Sequence, residues 1–198
     1  MNLSLAWSEL ALVVLVVAAV VVWLAWLSAS RLDRLHRKVV ASRIALQAQL
    51  ARRAGTALDL AASGLLDPAG AVLVADTAFA VVEDEAPPAP GAELALEGLG
   101  ATRERAESEL SAVLRSALGD DDFVHSLRGT ADGDELVGAL AAAWYRAQLA
   151  RRFHNEAVAQ AQRARRTWYV RLLHLTGRAG VPHTVELDDQ MPEGLGQS

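Results

Sequence analysis

The chain has 198 residues, no cysteine, and a formal net charge of −5 from 19 basic and 24 acidic side chains. These figures exclude a disulfide scaffold, cysteine-ligated zinc or iron–sulfur centres and a generally basic nucleic-acid binder. They leave room for one ordinary domain beside a membrane segment.

Residues 1–9 form a short N-terminal tail whose only charged side chain is Glu9. Residues 10–27, LALVVLVVAAVVVWLAWL, are apolar without exception. Eighteen helical residues rise about 27 Å, close to the ~30 Å hydrocarbon core of a bilayer. Twelve of the eighteen are Leu or Val, worth roughly 4–7 kcal/mol of insertion free energy at the helix centre. Trp7 lies before the run and Trp23 and Trp26 near its end. Trp7 and Trp26 are about 28 Å apart along a helix, the spacing of two interfacial belts. A cleaved signal peptide is the main rival. It fits less well, because the first nine residues hold no Lys or Arg and the apolar run exceeds the usual ~7–15 residues. Ser28 and Ser30 offer only a weak cleavage site. After the span come Arg31, Asp33, Arg34, Arg37 and Lys38. By the positive-inside rule the N-terminus is outside and the C-terminal domain is cytoplasmic at the inner membrane.

The remainder, 28–183, reads as an all-α domain. Residues 28–64 continue the membrane helix, with Leu32, Leu35, Val39, Leu46 and Leu50 at helical spacing and a stop at Ser63-Gly64. Asp67-Pro68 caps a second helix over 68–86. This helix is apolar nearly all round, which predicts a central place in the bundle. The Pro-rich stretch 87–100 reads as a mobile loop. A third helix follows over 101–118, ending at Gly119 before an Asp120-Asp121-Asp122 turn. The longest helix is expected over about 133–176, capped by Asp132 with Glu135 three residues on. Its seam is rich in Ala (Ala143, Ala147, Ala150, Ala157, Ala161), which favours close antiparallel packing against another long helix. Residues 184–198, with four acids and a terminal position, read as a disordered acidic tail.

Charge is segregated along the chain. Residues 31–53 carry +6, 54–135 carry −13, and 136–178 carry +7. If the last helix runs antiparallel to the first, its basic end returns to the bilayer surface. Arg165, Arg166, Trp168, Tyr169 and Arg171 would then join Arg31, Arg34, Arg37 and Lys38 in a collar facing anionic lipid headgroups, at about 1 kcal/mol per charge close to the surface. The competing reading is a solvated Arg-rich face paired with the acidic middle. Motifs for chemistry are missing. The five histidines form no metal spacing, the only lysine is Lys38, and neither a P-loop nor a GxSxG elbow occurs. No cofactor, metal or catalytic residue is expected, and no nucleic-acid partner.

Two stretches, Leu32–Arg53 with its Gln49-Leu50-Ala51-Arg52-Arg53 element and Ala150–Val158 with Arg151-Arg152-Phe153-His154-Asn155-Glu156, resemble the LemA family in a divergent, actinobacterial-type form. With the span they cover about a third of the chain in the family's order. His154 stands where the family carries Tyr. The Pro-Asn that usually follows the Arg-Arg element and the Phe-Pro that follows the second element are missing. The resemblance implies an N-terminally anchored antiparallel helical bundle with no established chemistry. It leads to the expectation that Arg52 or Arg53 reaches Asn155 or Glu156 across the two long helices, with His154 as a packed, hydrogen-bonded ring. The functional expectation is a single-pass interaction or scaffold protein, meeting lipid headgroups and an unidentified protein partner, with homo-oligomerisation open. The alternatives are a membrane-bound enzyme with an unrecognised site and an exported domain.

Overall fold

The computed structural model describes residues 2–83, 98–167 and 180–196. Six helices make up its regular structure, and the described residues contain no strand. Helix α1 (Asn2–Ala62) is unbroken over 61 residues, about 90 Å at 1.5 Å per residue. Its apolar N-terminal segment has a mean hydropathy of 3.0 and is not covered by any other part of the chain. Helices α2 (Pro68–Glu83), α3 (Ala101–Ala117), α4 (Asp121–Arg128) and α5 (Ala131–Arg165) form the bundle. An extended strap over residues 180–192 then leads into a single turn, α6 (Glu193–Gly196).

Local chemistry explains most of the boundaries. Gly64 takes φ +75°, a left-handed conformation that ends α1 without Cβ strain. The Asp67 carboxylate accepts from the Ala69 and Gly70 amides, capping α2. Asp120 caps α4 through the Asp122 amide, so the acidic turn opens a short helix. The expected Asp132 cap is displaced by two residues. Thr130 Oγ1 accepts from Gly133 N instead, and α5 begins at Ala131. Gly133 is needed at this corner, because a Cβ there would lie 2.2 Å from the Leu127 carbonyl oxygen.

The dominant contact is the antiparallel pairing of α1 with α5. Val39 meets Ala157, Val158 and Ala161 near the span. Leu46 and Leu50 meet Ala147, joined by Val185 of the strap. Beyond them the pair opens into a larger core in which Ala54, Ala57 and Leu60 pack with Val74, Ala78 and Val81 of α2, Leu110 and Leu114 of α3, and Leu140 and Trp144 of α5. Among the described residues, the bundle is therefore two helices thick near the apolar segment of α1 and thicker at its far end.

Three expectations are corrected, and two fall outside the described residues. The longest helix is α1, not the last. The description of α5 ends at Arg165–Arg166, and the expected continuation to 176 lies outside the described residues, as do 87–97 of the Pro-rich stretch. Helix α2 is peripheral, packing on α1 and α3. Only Val74, Ala78 and Val81 are buried on it, while Val72, Leu73 and Phe79 face outward. Finally, residues 184–196 are packed onto the bundle and do not form a disordered tail. Val185 and Leu195 are buried among the helices.

Leu46 is fully buried and Ile44, on the opposite side of α1, is 62% exposed. Leu46→Ala should lower the unfolding free energy by about 2–5 kcal/mol, and Ile44→Ala should change it by no more than about 0.5 kcal/mol. Denaturant titration of the detergent-solubilised chain would measure both.

Candidate functional site

The end of the bundle next to the span is where the two basic segments meet. Trp7, Trp23 and Trp26 are exposed along the apolar part of α1. Arg31, Arg34, Arg37 and Lys38 follow within three turns, all exposed. Helix α5 brings its last turns back to the same level, where Lys38 Nζ donates to Gln160 Oε1 at 3.0 Å. Between the helices lies a cleft of about 430 Å³ lined by Ser28, Arg31, Leu32, Leu35, Gln160, Arg163, Ala164 and Thr167. Of the other expected collar residues, Arg165 donates to the Gly180 carbonyl at 2.8 Å and Arg166 is exposed. Trp168, Tyr169 and Arg171 lie outside the described residues. Arg37 is held by Asp33 one turn back. Among the described residues, the cleft lining contains no carboxylate and no imidazole. A second hollow, between α2 and α3, contains one carboxylate, Asp67, which is committed to capping α2.

The Arg-Arg element divides its roles. Arg52 is exposed and Arg53 is fully buried. Arg53 does not meet Asn155 or Glu156. Its Nη2 donates to Glu107 Oε2 at 2.7 Å and to the Glu107 carbonyl at 3.1 Å, and its Nη1 donates to Ser111 Oγ at 3.0 Å. Its guanidinium carbon sits 4.9 Å from the ring centre of Trp144, a cation–π arrangement. Arg103 Nε donates to the other oxygen of Glu107 at 3.0 Å. The antiparallel register explains the change of partner. It sets Arg53 level with Trp144, and Asn155 lies eleven residues further along α5, about 16 Å away.

His154, Asn155 and Glu156 have separate surroundings. Glu156 is exposed and accepts from Gln160 Nε2. Asn155 reads the backbone of the strap, its Nδ2 donating to the Val185 carbonyl and its Oδ1 accepting from the Val185 amide. His154 is buried, with Nδ1 3.1 Å from Ser42 Oγ. The Ser42 hydroxyl hydrogen is spent on the Val39 carbonyl, so the imidazole Nδ1–H is the donor to Ser42. Burial pushes the His154 pKa below the usual imidazole value and the nearby Arg43 charge adds to this, while the His183 backbone, which favours the charged ring, opposes it.

The strap is the feature that sequence reasoning missed. Arg151 grips the Asp189 carboxylate with two hydrogen bonds, 2.7 and 2.9 Å. Trp144 Nε1 and Gln148 Nε2 both donate to the Asp189 carbonyl. Arg115 of α3 makes a two-pronged contact with Asp188, which holds that carboxyl below its usual pKa, burial opposing. A signal was present in the alternation Val185–Leu187 followed by two acids, in a chain whose last long helix carries several arginines. Comparison with family models, with curated proteins and with solved structures finds no match for the chain.

Glu107→Ala leaves Arg53 buried beside another cation and should destabilise the chain by about 3–5 kcal/mol. The triple change Arg53→Met, Arg103→Met and Glu107→Leu should recover most of that loss, since it removes all three buried charges. Thermal unfolding of both variants beside the wild type tests this. His154 supplies a pH dependence. Its folded pKa is depressed, so the unfolded ring binds a proton first as pH falls. Stability is complete above about pH 6.5 and declines as pH drops towards the folded value. Unfolding free energies at about pH 7.5 and about pH 5.5 should differ more in the wild type than in His154→Gln.

Proposed function

We propose that this protein is a single-pass, membrane-anchored helical-bundle protein of LemA-like type, acting as an interaction or scaffold protein at the inner membrane surface. The observation that carries the reading is the continuity of α1. Its uncovered apolar segment runs without interruption into the helix on which the bundle packs. A soluble domain would have to leave all eighteen residues in water, at a cost of many kcal/mol. The flanking tryptophans and the basic residues after the span suit an interface, and the basic flank favours a cytoplasmic domain.

The interaction role is supported by what the domain displays. Val72, Leu73, Phe79 and Val82 form an outward apolar side of α2, and Tyr145, Leu149 and Phe153 line one side of α5. Exposed apolar groups in contiguous patches mark contact surfaces. The LemA-like part of the reading rests on the sequence resemblance of Leu32–Arg53 and Ala150–Val158.

The chain should remain in the membrane pellet after alkaline carbonate extraction and leave it only with detergent. In spheroplasts, externally added protease should spare the domain until the membrane is lysed. Cleavage in intact spheroplasts would instead mean an exported domain, and carbonate release would mean no span.

A further inference from the structure

We propose that the cleft between α1 and α5 at the membrane end is a binding site for the phosphate of an anionic lipid headgroup. The proposal rests on the membrane reading above and adds a ligand to it.

Position is the first argument. Ser28 is the first residue after the apolar run, and Arg31 is one turn further, about 6 Å beyond the hydrocarbon edge. The headgroup layer occupies about 5–7 Å on each side of the core, so the cleft mouth lies at phosphate depth. Chemistry is the second argument. Arg31 comes from α1 and Arg163 from α5, and both line the same cleft, with no carboxylate among its described lining residues. The nearby acids are engaged elsewhere, Asp33 by Arg37 and Glu156 by Gln160. Two planar guanidiniums converging from two helices suit a phosphodiester, which accepts paired hydrogen bonds from such forks.

Shape and polarity supply the third argument. A bare phosphate would leave most of 430 Å³ unfilled. Leu32, Leu35 and Ala164 give the cleft an apolar floor continuous with the span, suited to the glycerol backbone and first acyl carbons of a lipid. The Ser28 hydroxyl already donates to the Leu24 carbonyl and the Thr167 hydroxyl to the Ala164 carbonyl. Both oxygens are therefore left as acceptors. They match a headgroup that carries its own hydroxyl donors, as phosphatidylglycerol does and phosphatidylcholine does not. A lipid seated here would touch both long helices and clamp the returning end of α5 to the bilayer surface.

The test uses the full chain in detergent, incubated with phosphatidylglycerol, phosphatidylcholine or sodium phosphate, with bound ligand counted by native mass spectrometry. One phosphatidylglycerol per chain should be retained, and phosphatidylcholine should not. The double variant Arg31→Gln with Arg163→Gln should lose at least about tenfold in retention, the expected size for two charge-assisted contacts. Arg105→Gln with Arg146→Gln, which removes two exposed charges from the far part of the bundle, should retain the lipid as the wild type does. Equal retention of both lipids, or undiminished retention by the Arg31/Arg163 variant, would overturn the site. Displacement of the lipid by millimolar phosphate would mean a free-phosphate site and overturn the headgroup assignment. Carbonate extraction of the membranes before solubilisation separates the two readings, since an integral protein that retains no lipid refutes the cleft alone.

Discussion

The antiparallel contact between α1 and α5 is the constraint on which the other parts depend. Alanines at 143, 147, 157 and 161 let the two backbones approach closely, and α1 fills the remaining space with Val39, Leu46 and Leu50. Close packing of this kind specifies one register. The register sets His154 beside Ser42, brings Arg53 under Trp144 and returns the basic end of α5 to the level of Arg31. Near the apolar segment these two helices make up almost all of the described cross-section. Further out, α2 and α3 lean on α1, and α4 and the strap lean on α5.

Electrostatics follows the same division. The acidic middle of the chain is not merely a solvated face. Glu107 enters the core between two arginines, at a site so well satisfied by hydrogen bonds that burial of the ions is tolerated. Asp188 and Asp189 of the strap take up Arg115 and Arg151 from two different helices. These pairs are partly exposed, so each contributes modestly to stability. Their effect is to choose where an otherwise extended peptide lies.

Much of the fold is legible in local signals. The uninterrupted apolar helix at the start of α1, its stop at Ser63-Gly64 and the Asp67-Pro68 start of α2 each rest on residues whose chemistry acts within a few positions. So does the α1 seam, because helical periodicity reports the buried side directly. What is not legible depends on non-local partners. Helix α2 is apolar all round, but composition cannot say how many neighbours will cover it, and only one side is covered. The partner of Arg53 depends on the register of two helices, a quantity no short window contains. The strap reads as disordered because its acids look unsatisfied in isolation; they are satisfied by arginines 38 and 73 residues away. At the membrane end, the charges were apparent from sequence and the cleft between them was not, since a cleft is a relation between two backbones.

The absence of a hinge between span and domain has a mechanical consequence. Because α1 passes from its apolar segment into the bundle as one rod, any tilt of the former is tilt of the latter. About 50 Å of helix lies beyond the apolar run, so a change of about 20° in tilt, ordinary for a membrane helix adjusting to bilayer thickness, sweeps the far end sideways by roughly 17 Å. In the membrane-anchored reading proposed above, the outer side of α2 would move over the membrane like the tip of a pointer.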